Sequence, residues 1–175
     1  MHLARTRSLF FLAFLACALI VGVAVYLQHY LGSFPCPLCQ AQRVLLSICS
    51  AACLIAALHA PGNTGWRVYS GLILAVSLTG AAVAARQVWL QGAPAENLDA
   101  CAQNLLFLLD TQPWLKVFSL VIAGNAGCSE INWSLFGISL PEWSLLAFSG
   151  MTLFALYYLF VEFRRPKPMN TGNAD

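Results

Sequence analysis

Hydrophobic residues along this chain come in blocks, not in the stripes of a water-soluble helix or the alternation of a half-buried strand. Four stretches carry no charge: 8–27 (20 residues), 44–65 (22), 68–85 (18) and 143–161 (19). The apolar part of the second ends near Ala60. A bilayer core of about 30 Å is crossed by about 20 helical residues at 1.5 Å each. Barrel strands would alternate apolar and polar positions, and these runs do not. The pattern predicts an all-α membrane protein, a bundle of four transmembrane helices in one domain over residues 1–175. The spans fall at about 8–27, 42–60, 68–86 and 143–161, with outer loops at 28–41 and 87–142.

Composition agrees. Only 9% of the 175 residues are charged and 59% are hydrophobic, where a soluble domain has roughly 25% charged residues. That excludes an ordinary soluble enzyme, and the high hydrophobicity excludes a disordered chain. A net charge of +2, with no basic cluster interleaved with aromatics, excludes a nucleic-acid footprint. Arg5 and Arg7 followed by an apolar run suggest a signal peptide, with Ala16-Cys17-Ala18 as a loose cleavage site. The run continues to Leu27, past the 7–15 residues of a signal core, and reads as an uncleaved first helix.

Orientation follows the basic residues. One side holds Arg5, Arg7, Arg67, Arg164, Arg165 and Lys167; the other holds Arg43, Arg86 and Lys116. Six against three places both termini in the cytoplasm. Pro61-Gly62-Asn63 reads as the short inner turn. The long outer connection has net charge −3 over residues 86–142. It contains apolar runs at 105–109 and 117–123, with Trp114, Trp133 and Trp143 spread along it. A short helix on the membrane surface is expected there, or else a small cap packed over the bundle.

The candidate chemistry lies in the cysteines. Cys17, Cys49 and Cys53 fall inside spans, where small residues serve packing. Cys36, Cys39, Cys101 and Cys128 all fall on the outer side, which is oxidising in a bacterial-type membrane and makes them disulfides or exchanging thiols. Structural staples and a thiolate metal site are the bland readings. A metal site is disfavoured by the spacing from Cys101 to Cys128, which is no ligand knuckle. Cys36-Pro37-Leu38-Cys39 is a Cys-x-x-Cys, whose small ring stabilises little and whose type is redox-active. Pro37 suits a first helical turn. Cys39 then sits at the positive end of a helix dipole, with Arg43 one turn on along the same face. Both favour thiolate over thiol. As an interfacial anchor Arg43 could simply snorkel, but arginine at the edge of hydrocarbon is expensive and points to function.

These residues together resemble the disulfide bond formation protein B family. The resemblance covers nearly the whole chain. It rests on Pro35-Cys36-Pro37-Leu38-Cys39 with Arg43, the Gln87 to Gln91 region, Gly127-Cys128, and Leu135-Phe136-Gly137-Ile138-Ser139-Leu140-Pro141-Glu142-Trp143. It implies a protein-disulfide:quinone oxidoreductase of the bacterial inner membrane, with its active loops in the periplasm. The implied disulfides are Cys36–Cys39 and Cys101–Cys128, with a transient Cys36–Cys128 link. Cys101 would meet a thioredoxin-fold dithiol oxidase of the periplasm. Cys39, beside Arg43, would face a quinone from the membrane pool, ubiquinone ahead of menaquinone. Some members carry a histidine near the outer end of the third span. Here that stretch is Arg86-Gln87-Val88-Trp89, so Arg86 and Gln87 stand as the further quinone-binding candidates.

The physical logic fits. Thiol–disulfide exchange is reversible and creates no net disulfide, so a lipid-soluble two-electron acceptor must supply the oxidant where a helix end meets hydrocarbon. The rival readings are a thiol reductase of the vitamin K epoxide reductase type and a non-catalytic four-span protein with stapled loops.

Overall fold

The computed structural model describes residues 2–31, 37–59, 63–92, 109–123, 134–135 and 137–163. Cys36, Cys101, Cys128 and residues 105–108 lie outside the described residues. The elements are α1 (His2–Leu31), α2 (Pro37–His59), α3 (Asn63–Gln91), α4 (Trp114–Ala123), β1 (Ser134–Leu135), β2 (Ile138–Ser139) and α5 (Leu140–Phe163). Four helices are long and apolar enough to cross a membrane, over Thr6–Tyr30, Pro37–His59, Gly65–Gln91 and Leu140–Val161. Each of these segments outruns the charge-free core that predicted it at one or both ends. Hydropathy registers the residues in hydrocarbon, whereas the helical hydrogen-bond ladder continues into the interface.

The helices pack in chain order, α1 on α2, α2 on α3, and α3 most extensively on α5. Cross-contacts fix the directions. Arg7 Nε donates to the Ala57 carbonyl at 3.0 Å and Arg43 Nη2 to the Ala24 carbonyl at 3.1 Å, so α1 and α2 are antiparallel. Ser139 Oγ donates to Gln91 Oε1 at 3.0 Å and Thr152 Oγ1 to Ser77 Oγ at 3.0 Å, so α3 and α5 are too.

The bundle buries many small residues and leaves many large aliphatic ones outside. Cys17, Cys49, Cys53, Ala52, Ala56, Ala57 and Ala84 are buried, while Leu19, Leu58 and Leu153 are each more than two-thirds exposed. That inversion suits a lipid surround, where leucine gains nothing by turning inward and small residues let backbones approach. At the end carrying both termini, Phe10 plugs the bundle, its ring 4.9–5.1 Å from those of Trp66, Phe154 and Tyr158.

At the other end the chain enters α5 through a two-residue hairpin in which Ser134 pairs with Ser139 and Leu135 with Ile138. Gly137 turns it at φ 78°, a conformation that suits glycine. Ser139 caps α5, and Glu142 three residues on accepts a hydrogen bond from the Ser139 backbone N–H at 2.6 Å. This is half of a capping box. The Ser139 hydroxyl is turned instead onto Gln91, tying the hairpin to the end of α3. Within the long connection α4 covers the run 117–123. Its Val117 is buried, Trp114 and Leu115 face outward, and the helix touches α2.

Candidate functional site

The site grows from the first turn of α2. Pro37 opens the helix and is buried, and Leu38 packs with Leu90 of α3 in a small apolar cluster that Cys39 and Val83 flank. That cluster pins the start of α2 to the far end of α3. Cys39 is left half-buried in the first turn, at the positive end of the helix dipole.

Two residues on the same face follow at i+3 and i+4. Arg43 reaches across to α1, donating through Nη1 to Gln28 Oε1 and through Nη2 to the Ala24 carbonyl. Gln42 turns toward α3 and donates from Nε2 to Gln87 Oε1 at 2.7 Å. Gln87 in turn donates from Nε2 to the Cys39 sulfur at 2.9 Å. Both glutamines are almost fully buried.

Cys39, Gln42 and Arg43 line one pocket with Ile20, Val21 and Ala24 of α1, Leu46 of α2, and Leu140, Pro141, Ser144 and Phe148 of α5. The pocket is tight, with room of about 20 Å³. It shares Ile20, Ala24, Leu140 and Ser144 with a roomier apolar groove of about 220 Å³, whose other walls are Leu19, Val23, Leu27 and Trp143. The two adjoin at these four shared residues of α1 and α5. The groove offers apolar walls, and the adjoining pocket offers the hydrogen-bond donors of Gln42 and Arg43.

The predicted residues therefore divide. Cys39 and Arg43 come together in the pocket. Gln87 lies against the Cys39 sulfur, outside the pocket lining. Arg86 stacks its guanidinium 4.4 Å from the Trp89 ring centre, also away from the pocket lining. Cys36, Cys101 and Cys128 lie outside the described residues. Gln42 was missed by sequence reading, although its i+3 spacing from Cys39 was the available signal. Among the described residues, no cluster of three or more metal-ligating side chains occurs.

Comparison with known proteins decides the lineage. The sequence model of the disulfide bond formation protein DsbB family matches residues 6–158. The chain belongs to the DsbB family. Disulfide bond formation protein B 2 of Pseudomonas savastanoi is 51% identical over 163 residues, 93% of each chain. Disulfide bond formation protein B of Stutzerimonas stutzeri is 43% identical over 159 residues, covering 91% of this chain and 98% of that one. Disulfide bond formation protein B 1 of Pseudomonas aeruginosa is 46% identical over 156 residues, 89% and 96% of the two chains. No solved structure matches. Membership and the four spans make this DsbB homologue a multi-pass inner-membrane protein with an oxidoreductase role in disulfide bond formation.

Proposed function

We propose that this chain oxidises a thioredoxin-fold dithiol oxidase of the periplasm, DsbA-like in kind, and passes the electrons to a membrane quinone, ubiquinone before menaquinone. The observation that carries the reading is that Cys39 and Arg43 line one small pocket, and that this pocket shares four residues with an apolar groove along α1 and α5.

The relay balances as follows. The reduced partner attacks the Cys101–Cys128 disulfide at Cys101, and its second thiol resolves the mixed disulfide, leaving the partner oxidised and Cys101 and Cys128 reduced. Cys128 attacks Cys36 of the Cys36–Cys39 disulfide and releases Cys39 as thiolate. Cys101 then displaces Cys36 from Cys128, restoring the Cys101–Cys128 bond. Cys36 and Cys39 give two electrons to the quinone, which takes up two protons as quinol, and their disulfide re-forms. The α2 dipole and Arg43 favour the thiolate that departs in the second step. Arg43 also offers donors to the quinone oxygen as charge develops on it, while the apolar groove walls exclude water.

The loops with Cys36, Cys101 and Cys128 face the periplasm and both termini the cytoplasm, by the six-to-three distribution of basic residues. Trp114 and Leu115 of α4 offer the apolar surface for resting on the membrane. The test is to purify the protein, extract and identify bound quinone, and measure the two half-reactions separately. A protein that exchanges with the thiol partner but reduces no quinone would overturn the reading and favour stapled loops or a reductase.

A further inference from the structure

Two buried glutamines in a span-rich bundle are costly unless their hydrogen bonds are made. Gln42 is 4% exposed and Gln87 3% exposed, and their side chains form one chain that ends on a sulfur. The order of donors matters. A glutamine amide can present either a carbonyl oxygen or an N–H to a neighbour. Toward a thiolate, the oxygen repels and the N–H stabilises. Because Gln42 Nε2 donates to Gln87 Oε1 at 2.7 Å, the oxygen of Gln87 is engaged and its Nε2 is turned to Cys39 Sγ at 2.9 Å. The three residues sit 45 and 48 positions apart across α2 and α3, held in register by the Leu38–Leu90 cluster.

Resting on the proposed role of Cys39 as the thiol that faces the quinone, we propose that Gln42 and Gln87 form a positioning relay for that sulfur. Gln87 holds an N–H on the sulfur, favouring its thiolate and fixing its place at the pocket wall. Gln42 acts only through Gln87, by setting which end of the amide faces the cysteine. The two glutamines thus add a third source of thiolate stabilisation to the helix dipole and Arg43.

The test uses the reduced full-length protein and a small alkylating reagent, with labelling of Cys39 followed by mass spectrometry across a pH series. Gln87→Leu is expected to slow Cys39 alkylation about tenfold on the acid limb, displacing the profile by about one pH unit to the alkaline side. Gln42→Leu removes the bond that engages the Gln87 oxygen, and a loss of about threefold is expected. The double variant is expected to match Gln87→Leu, since the bond that Gln42 makes runs to Gln87. A merely structural pair would lower thermal stability without moving the profile. Profiles that superimpose on the parent, or losses in the double variant that multiply as for independent sites, overturn the relay. Should Gln87→Leu fail to fold, Gln42→Leu decides alone, and an unmoved profile overturns the proposal. Quinone reduction by the parent protein is measured alongside. Its absence would sink the functional reading, while the alkylation profiles still judge the relay.

Discussion

Gly80→Ala is the perturbation that tests how the inner pocket is built. Gly80 of α3 faces Phe148 of α5, whose fully buried ring is also a wall of the Cys39 pocket. A methyl group at Gly80 would stand 2.5 Å from both Cδ1 and Cζ of that ring. Ordinary carbon contacts begin near 3.5 Å, so the ring must retreat by about 1 Å. Overpacking of this kind costs about 1–3 kcal/mol, while replacing a helical glycine with alanine returns up to about 1 kcal/mol. With the full return, the net is a destabilisation of up to about 2 kcal/mol. The retreating ring moves toward a pocket with only about 20 Å³ to spare. Quinone reduction should therefore weaken, with the larger effect on the apparent affinity for quinone, while exchange with the thiol partner at Cys101 stays as in the parent. Thermal unfolding in detergent and the two half-reactions measured separately check this. Phe148→Leu added to Gly80→Ala should recover both quantities in part by restoring room. A Gly80→Ala protein as stable as the parent, with unchanged quinone kinetics, would refute the claim that Phe148 is held in place by the missing side chain.

Arg43→Ala should abolish most quinone reduction and also loosen α1, because the guanidinium is bonded to Gln28 and Ala24. Arg43→Lys keeps the charge without the planar fork and should retain part of the turnover; normal turnover in Arg43→Ala would reduce the residue to an anchor. With a partner variant that keeps only its attacking thiol, the mixed disulfide to Cys101 should persist and vanish with reductant, as read on non-reducing gels; an adduct mapped to Cys36 or Cys39 would reverse the order of the relay. Reporter fusions after Thr64 and Lys167 should behave as cytoplasmic, and those after Pro35 and Ala126 as exported; a cytoplasmic signal after Ala126 would break the assigned orientation.

Much of the site was legible because it is local. Cys39 and Arg43 share a face by helical spacing alone, and Pro37 marks the turn that puts the cysteine at the helix start. The Ser139-to-Glu142 cap was equally local, a Ser-x-x-Glu before an apolar run, yet it passed unread. Gln87 drew notice only through the family resemblance, where the histidine of some members is absent, and its task was not readable. Hydrogen bonds to Gln42 and Cys39 lie 45 and 48 residues away, and no periodicity within one helix encodes a partner on another.

The four spans and the fold class followed from the sequence by itself, because the cost of charge in hydrocarbon is a property of each segment and needs no knowledge of its neighbours. The tertiary structure alone decided which faces meet. It set Phe148 against Gly80, opened the groove between α1 and α5, and turned one amide of Gln87 onto the reactive sulfur. The reason is physical. In lipid, leucine is as well placed outside as inside, so hydrophobicity alone does not choose the interior. Close packing of small residues and a few pairwise hydrogen bonds do, and those depend on partners that only the assembled bundle brings within reach.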